Sequence, residues 1–521
     1  EAEARAPQDE ACPAKSGSVW WQRTTGTPLQ SGARGESQEV AMRPVFAALV
    51  PVWIAASVLV PLTASAQNEG KIQAELRRER ERLAEKCGQF SLSKVFGCAQ
   101  TLVTDHPFHV AVGSVAPQNG FGAGLAFVGP QSKPNENWRI NWSADAVGTA
   151  SSAWRAGAYA TFVNTRVAPI VPTRPGGGTS ASDAMPRPYP TISAYAQVTS
   201  LSRLSFYGLG NDTSVADRTA FAMRQSAIGA RVFWPLGGSG FFNRLNPTAI
   251  GEVNERLLQV GGSTRGGDPS IDTRFTDATA PGLSTHPSTL QLGEGLRVTP
   301  AVGRLQLNYT GMLQQYIAPS DSHLSFRRWS LDLRHEFSLY TKSVQSGGGE
   351  QNSPNECAAS ANRSIGEYGC PDAALVTRNR VGTVGFRALV SRSGVSSGNQ
   401  VPFYFQRTIG GSDIDGERLL AGYDDYRFRG PNLMVLQQTF EQVIWGPVGV
   451  FAAAEQGRVS LIDDPLSKGE LRKTIGAGLT LRAGGIPMVT IWWADSRREG
   501  HHIAFTVNTS LLGGSSRPSL R

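Results

Sequence analysis

The stretch that decides the fold is GGSDIDGERLLAGYDDYRFRG, from Gly410 to Gly430. It begins with a glycine pair, has an aromatic residue after a glycine near its middle, and ends with two arginines around a phenylalanine. Two more segments follow at short spacing, NLMVLQQTFEQVIWG from Asn432 and VGVFAAAEQGRV from Val448. A glycine-rich approach, a turn with arginines and then amphipathic strands indicate a loop that folds back into a β structure.

Outward from this stretch, apolar and polar residues alternate with the period of a β-strand. Apolar residues occupy positions 329, 331, 333, 337 and 339, and again 475, 477, 479 and 481 and 503, 505, 507 and 511. A β-sandwich or a β-helix also alternates, but such strands average about five or six residues. Several runs here last about ten residues, the length that a tilted strand needs to cross a bilayer. The sequence therefore predicts an all-β fold, a transmembrane antiparallel β-barrel with a loop folded into its lumen.

The number of strands is predicted at about 16. Their centres lie near residues 125, 142, 158, 197, 228, 253, 296, 310, 332, 385, 405, 438, 451, 476, 491 and 506. The long connections 166–190, 262–288 and 341–377 are expected to be extracellular loops.

The region before the barrel resembles an export signal. Residues 42–66 have one basic residue, an apolar core and the triplet Ala64-Ser65-Ala66, which predict a secretory signal peptide, with a membrane anchor as the alternative. Residues 1–41 are expected to be a non-native upstream extension. Residues 67–108 are predicted to be a periplasmic segment with a short N-terminal helix at 71–86. The barrel is expected to span 109–512, followed by a polar tail at 513–521.

Cysteine spacing agrees with an exported protein. Cys87 and Cys98 form one close pair, and Cys357 and Cys370 form another. Two close pairs predict two local disulfides in an oxidising compartment. Neither pair has histidines at metal-ligand spacing, so the sequence predicts no metal site and no cofactor.

Composition gives no sign of nucleic acid or of catalysis. The net charge is +8 and charged residues make up 18% of the chain, without a basic run interleaved with aromatics. Residues 394–398 fit the pattern G-x-S-x-G, but a nucleophile elbow needs a strand-to-helix turn. This stretch lies between two β-like runs, so we expect a polar turn and no enzyme.

Three segments resemble the bacterial surface-antigen superfamily of outer-membrane barrels, which includes BamA, TamA and the two-partner secretion transporters. The inner-loop motif of that family is matched by Gly410, Gly411, Gly422, Tyr423, Arg427, Phe428 and Arg429, and its following strand motif by Gly457. FYGLGNDT at 206–213 and HVAVGSVAPQNGFGAG at 109–124 resemble a strand end and the first-strand region of the same branch. The resemblance implies a barrel of 16 strands, here without periplasmic POTRA domains.

Two departures from the family pattern concern the contact that holds the loop in the barrel. Ala421 stands where the family has the arginine of its R-G-Y tip, and Glu455 takes the place of the carboxylate in its F-x-D-x-G strand. Within the family that arginine and carboxylate pair with each other. We therefore expect Glu455 to be the loop-locking carboxylate and to pair with Arg418, Arg427 or Arg429.

The resemblance implies a function in the bacterial outer membrane. We expect a monomeric barrel that contacts lipid and lipopolysaccharide and assists the insertion or translocation of client outer-membrane or secreted proteins. The alternative is a passive or plugged pore, or a barrel that anchors a surface module without assembly activity.

Overall fold

The computed structural model describes residues 108–131, 137–164, 166, 189–237, 245–302, 305–343, 378–445, 447–483 and 486–507. The signal peptide, the upstream extension, the helix at 71–86 and the polar tail lie outside these residues. So do Cys87, Cys98, Cys357 and Cys370. These segments and the two disulfides stay predictions.

The described chain is built from strands joined by loops and short 3-10 turns. The strands are β1 (Phe108–Ser114), β2 (Phe121–Gln131), β3 (Trp138–Thr149), β4 (Trp154–Asn164), β5 (Thr191–Phe206), β6 (Thr219–Pro235), β7 (Pro247–Gly262), β8 (Ser288–Val298), β9 (Ala301–Val302), β10 (Leu305–Ile317), β11 (Phe326–Ser343), β12 (Arg378–Gly394), β13 (Arg407–Ile409), β14 (Phe428–Gly430), β15 (Asn432–Trp445), β16 (Val448–Ser460), β17 (Arg472–Ala483), β18 (Ile486–Asp495) and β19 (His501–Val507). The 3-10 turns are Val215–Asp217, Arg265–Gly267, Ile271–Thr273, Ser322–Leu324 and Phe403–Phe405. No helix in this part of the chain is long and apolar enough to cross a membrane.

One antiparallel sheet of 17 strands contains all of them except β13 and β14, which pair with each other. Each long strand pairs with its neighbour in sequence, from β1 with β2 to β18 with β19. The two-residue β9 extends the edge of β10 beside β8. Without β9 the sheet has 16 long strands, here called the wall, and the prediction of an all-β antiparallel fold is confirmed. Within the described residues, no ladder joins β1 to β19.

The wall presents an apolar outer face and a more polar inner face. In β17, Leu479 is 55% exposed whereas its neighbour Thr480 on the other face is buried. In β19, Ile503 and Phe505 are exposed and Ala504 is buried between them. The same face of the other strands carries exposed apolar side chains, among them Leu313, Leu331, Phe386 and Phe440. The predicted period-two alternation thus separates the two faces of a single sheet.

One predicted strand is wrong, and one strand was missed. The apolar stretch around residue 405 forms a 3-10 turn, Phe403–Phe405, and then the short β13 inside the loop that follows β12. Its apolar residues are buried because they pack within the curl of the wall. From sequence alone, a short apolar run does not show whether it forms a buried strand or a buried turn. The strand that replaces it in the count is β1, which pairs with β2 from Phe108 to Ser114.

Strand directions also correct the predicted placement of the long connections. The connection 263–287 leaves from the same end of the wall as residues 395–431. This end of the wall is here called the inner-loop rim. The strand ends that flank 165–190 and 344–377 lie at the opposite end. Three wall strands separate each of these connections from the next, and antiparallel strands alternate in direction, so all three cannot share one rim.

Candidate functional site

Residues 395–431, here called the inner loop, leave the wall after β12 and re-enter it at β15. Inside the loop, Gly410 N donates to Leu419 O at 2.8 Å and Leu419 N donates to Gly411 O at 3.0 Å, which closes a small hairpin. Gly410 has φ +97°, and a Cβ there would lie 2.5 Å from the Cβ of Arg427. A side chain does not fit at that position, which explains the glycine pair that opens the motif.

The inner loop contacts both ends of the sheet. Gln118 Nε2, in the turn between β1 and β2, donates to Asp425 O at 3.4 Å, and Tyr426 Oη donates to Pro117 O at 3.2 Å. At the other end, Arg418 Nη2 donates to Phe505 O of β19 at 3.3 Å. Because one short segment reaches the first turn and the last strand, the wall curls around the inner loop. The predicted position of the loop, inside the lumen, is thereby observed.

The three segments that carried the family resemblance meet at this loop. Gly210, in the stretch FYGLGNDT after β5, donates its N–H to Arg429 O at 2.8 Å and forms an antiparallel bridge with it. The first-strand segment supplies Pro117 and Gln118. These segments are far apart in the chain, and the curled wall brings them into one contact network.

Arg427 makes a bidentate ion pair between the inner loop and the inner-loop rim. Its Nε and Nη2 donate to the two carboxylate oxygens of Glu499, each at 2.8 Å, in a bidentate pair. Its remaining donors bind Thr213, with Nη1 on Oγ1 at 2.7 Å and Nη2 on the carbonyl at 2.6 Å. The guanidinium is almost fully buried and also lies 4.9 Å from the ring centre of Tyr207. A buried bidentate pair of this kind fixes both position and orientation. Glu499 lies between β18 and β19, so this pair ties the inner loop to the last hairpin.

A second ion pair holds the loop to the middle of the sheet. Glu417 Oε1 lies 2.5 Å from Nη2 of Arg387, on β12. Arg387 also pairs with Asp332 of β11 at 2.8 Å. The loop is therefore held by charge on two sides of the lumen.

Arg429 is buried among aromatic rings. Its Nη1 donates to Phe403 O at 2.9 Å, and its guanidinium lies within 6 Å of the ring centres of Phe206, Phe221 and Phe403. Among the described residues it has no ion pair with a carboxylate. Burial lowers the pKa of Arg429 to about 10.

Glu455 holds the tip of the loop through a backbone amide and a side-chain amide. Its Oε2 accepts a hydrogen bond from the backbone N–H of Ala421 at 2.7 Å, and its Oε1 accepts one from Gln437 Nε2 at 2.7 Å. Within the described part of the chain no arginine lies within ion-pair distance of Glu455, although Arg418 is close enough to interact with it electrostatically. The predicted pairing of Glu455 with Arg418, Arg427 or Arg429 therefore stays a prediction. Those arginines donate hydrogen bonds to Phe505 O, Glu499 and Phe403 O. Glu455 still contacts the residue that replaces the family's arginine, through the main chain.

The tip has no room for the missing arginine side chain. Ala421 is fully buried in a small apolar cluster with Ala453, Trp492, Ala494 and Ala504. Alanine thus fits a packed contact with β16, β18 and β19. The next residue is equally restricted, because a Cβ on Gly422 would lie 2.7 Å from Ser496 N. On β16, a Cβ on Gly457 would lie 2.8 Å from Met434 O.

Tyr423 and Phe428 form the apolar part of the motif. Their rings meet edge to face at a centroid distance of 5.2 Å, and both side chains are buried. The guanidinium groups of Arg427 and Arg472 lie 4.5 Å and 5.1 Å from the centre of the Phe428 ring. Such arginine–ring contacts are attractive and gain strength when desolvated.

The inner loop carries an apolar core into the lumen. Phe403 packs on Phe206 and on Phe221 with ring centroids 5.2 Å and 5.1 Å apart. Phe405 packs on Tyr316 and Phe326 of β10 and β11. The buried cluster includes residues from the loop, from six wall strands and from the connection 263–287. The loop is therefore a packed plug at this rim.

Sequence reasoning missed the residues of the wall and of its connecting loops that receive the inner loop. Glu499, Thr213, Gln437 and Arg387 carry its polar contacts, yet none stands out in a single sequence. FYGLGNDT was noticed as a motif, and its two glycines were the available sequence signal for an unusual turn. In the structure these glycines, Gly208 and Gly210, have φ +98° and +99°. Which residue it contacts follows only from the curl of the wall.

Comparisons with known proteins give similarity in fold. No protein-family model and no curated protein matches the chain. The chain is similar to solved barrels of CdiB and BamA. CdiB from Acinetobacter baumannii shares 9% identity at a TM-score of 0.40, over 76% of this chain and 58% of that one. CdiB from Escherichia coli shares 13% at 0.43, over 75% and 58%.

BamA from Haemophilus ducreyi lacking POTRA domains 1–3 shares 9% identity at a TM-score of 0.40, over 82% of this chain and 80% of that one. The chain spans little more than half the length of either CdiB structure. Because the TM-scores and identities are low, the fold of this chain is established by its own strand pairing.

A metal site has no support in the described residues. No group of three or more histidine, cysteine, aspartate or glutamate side chains is placed there to hold a metal ion.

Proposed function

We propose that this chain is an outer-membrane β-barrel of the surface-antigen type that assists the insertion or translocation of client proteins. The observation that carries the proposal is the inner loop, which is buried in the lumen and bonded to the first turn, to β12, to β16 and to the β18–β19 hairpin. The loop is bonded to both ends of the sheet. A change in its conformation would therefore change how the first and last strands lie relative to each other.

The edges of the wall support the same proposal. Among the described residues, β1 pairs only with β2 and β19 only with β18, so each has one edge without a strand partner. The unpaired backbone groups of such an edge can accept another strand. Arg418 of the inner loop already bonds to a carbonyl of β19. A client strand that pairs with this edge would therefore lie directly beside the inner loop.

The outer face supports a location in the outer membrane. Exposed leucine, phenylalanine, isoleucine and tryptophan side chains follow the same face of successive strands, among them Leu292, Trp329, Leu479, Ile491 and Ile503. A soluble protein rarely exposes so extensive an apolar surface. Lipid, and lipopolysaccharide at the rim, are its proposed contacts, and the barrel is proposed to act as a monomer without enzymatic activity.

The alternative is a barrel without assembly activity. The plug of Phe403, Phe405 and their wall partners disfavours an open passive pore, so the form of the alternative that we retain is a plugged barrel that anchors a surface module. Both functions share the same fold and the same inner loop. They differ in whether a second protein is affected.

The test is the folding of a small, urea-unfolded outer-membrane barrel into phosphatidylethanolamine-containing vesicles that hold the full chain. Assistance predicts faster folding than in vesicles without it. The double variant R427Q/E499Q, which loosens the loop while the wall stays unchanged, should lose the acceleration. R498Q/E470Q, which removes an exposed pair at the same rim, is the matched control.

Conductance of the same vesicles separates the remaining outcomes. A plugged barrel predicts low conductance in the intact chain, with or without client folding. Low conductance and no effect on the client would favour the anchoring barrel. A steady, large conductance would overturn the plugged lumen and favour a pore.

A further inference from the structure

The outer face of the wall carries two arginines beside the inner-loop rim, on neighbouring strands. On β11, Arg328 is buried, whereas Arg327 is exposed together with Trp329 and Leu331. Successive residues of a strand point to opposite faces, so Arg327, Trp329 and Leu331 share the outer face. Arg392 of β12 is exposed and lies directly opposite Trp329 in the ladder, which places it on the same face. Two guanidinium groups therefore lie at the rim end of an apolar surface.

A position without a side chain adjoins both arginines. Gly394 lies directly opposite Arg327 and two residues after Arg392, so it belongs to the outer face as well. A Cβ at Gly394 would have no atom within 4 Å beyond its neighbours in the chain. Arg327 and Arg392 are diagonal neighbours across the two strands, at a spacing of about 7–8 Å. Arg327, Arg392 and Gly394 thus form an open recess, here called the rim notch.

Carboxylates do not balance the charge of the rim notch. Among the described residues, neither Arg327 nor Arg392 forms an ion pair. Strands β10, β11 and β12 contain two carboxylates, Asp332 and Glu336, and their even-numbered positions on β11 place both on the inner face. Glu294 is exposed on the outer face of β8, but β10 separates it from the notch. The outer face of β10 to β12 therefore has positive charge at the rim without a matching negative group.

An anionic lipid headgroup fits this combination of charge and apolar surface. The planar fork of arginine matches a phosphate group through two parallel hydrogen bonds, and two arginines can share one phosphate monoester. Trp329 and Leu331 are exposed next to the notch on the side away from the rim, where acyl chains would lie. An aromatic side chain at this height is typical of the boundary between headgroups and hydrocarbon. A free anion would not contact that apolar surface.

We propose that the rim notch binds the headgroup of a membrane lipid that carries a phosphate monoester. The phosphate lies over Gly394 between the guanidinium groups of Arg327 and Arg392, and the acyl chains run along Trp329 and Leu331. This inference rests on the outer-membrane location proposed for the chain, and it adds a specific lipid site to that location. It does not depend on whether the barrel assists client proteins.

Native mass spectrometry of the full chain in detergent micelles tests the notch, with lipid A as the probe. The parent chain should retain one lipid A, and it should bind dephosphorylated lipid A with the same acyl chains more weakly. R327Q/R392Q should weaken lipid A binding by about tenfold or more, the order expected for lost hydrogen bonds to a charge. G394L keeps both arginines but fills the notch, and should also weaken binding.

Two variants on the same outer face are the matched controls. R224Q removes a single exposed arginine of β6 near the inner-loop rim, and should leave lipid A binding unchanged. G311L fills an outward position of β10 where a Cβ would also have no atom within 4 Å, and should likewise have no effect. A loss in R224Q equal to that in R327Q/R392Q would show general attraction to positive charge and overturn the notch.

The lipid arms give the remaining outcomes. Equal retention of lipid A and its dephosphorylated form would overturn the phosphate contact. Displacement of lipid A by inorganic phosphate alone would overturn the lipid and favour a site for a free anion. Flotation with vesicles separates the notch from the membrane location, because R327Q/R392Q should float as the parent chain does. A parent chain that does not float would contradict the outer-membrane proposal itself.

Discussion

Arg427 shows how a single residue can be recognised from sequence while its partner is not. The R-F-R pattern indicated that this arginine matters, and the expected partner was the carboxylate of β16. The partner is Glu499, which lies 72 positions further along the chain. Two parallel hydrogen bonds and a buried guanidinium make this the contact that holds the inner loop to the last hairpin.

A double-mutant cycle on R427Q and E499Q should give a coupling energy of about 1–3 kcal/mol, within the range for contacting pairs. The physical reason is that Arg427 is buried and Glu499 is mostly buried, so water screens the pair only weakly. The measurement is urea unfolding of the barrel in lipid vesicles. The exposed pair of Arg498 and Glu470 is the control and should couple by about 0–1 kcal/mol. Equal coupling in both pairs would contradict the assignment.

Glu455 gives a second prediction at this scale. Both of its partners, the N–H of Ala421 and the side-chain amide of Gln437, are donors. In E455Q one of the two donors would face the new NH2 group, so we expect destabilisation by about 1–3 kcal/mol. The measurement is proteolytic cleavage within the inner loop, which should become faster. E470Q, at an exposed rim carboxylate, is the control and should leave the cleavage rate unchanged. If E455Q resists proteolysis as well as the parent chain does, Glu455 does not hold the tip of the loop.

At the scale of elements, the segment 207–213 links β5 to the inner loop. Its glycines adopt left-handed backbone conformations, and these bring Gly210 N to Arg429 O and Thr213 to Arg427. One turn therefore positions two separate contacts. A change in its backbone should affect β14 more than β5 itself.

G210A should destabilise this contact by about 1–2 kcal/mol, the cost of a left-handed conformation for a residue with a Cβ. No atom lies within 4 Å of the added Cβ, so backbone strain is the only expected cause. Hydrogen exchange should show faster exchange of the Gly210 and Phe428–Gly430 amides. G251A on β7, where the backbone is ordinary and the added Cβ would make only a van der Waals contact with Val232 Cβ at 3.9 Å, is the control. Unchanged exchange in G210A would show that the turn does not hold β14.

At the scale of the whole described structure, the outer face of the wall is the surface proposed to meet lipid. Leu479 lies at the middle of β17 with 55% of its surface exposed, and Leu461 lies in a rim loop at 43%. L479R should destabilise the folded barrel in vesicles by about 2–4 kcal/mol, because arginine is costly at the bilayer midplane. L461R adds the same side chain outside the apolar band and should change stability little. Equal effects of the two variants would contradict the membrane placement.

The sequence by itself determined the fold class, fifteen of the sixteen wall strands and the motif of the inner loop. Alternation of period two is local, and it separates the two faces of a strand whatever the strand pairs with. For the same reason the pattern wrongly predicted a wall strand near residue 405. A short apolar run is buried in the same way whether it packs in a plug or in a sheet.

Only the tertiary structure decided what holds the loop. Gln118, Thr213, Glu455, Glu499 and Phe505 come from segments that are distant in the chain, and the curl of a long antiparallel sheet sets which of them reach the lumen together. The curl also explains why Ala421 is an alanine, because β16, β18 and β19 leave no space there for an arginine. The motif at Gly410–Gly430 identified the loop from the sequence, whereas the curled wall around it determines which residues the loop contacts.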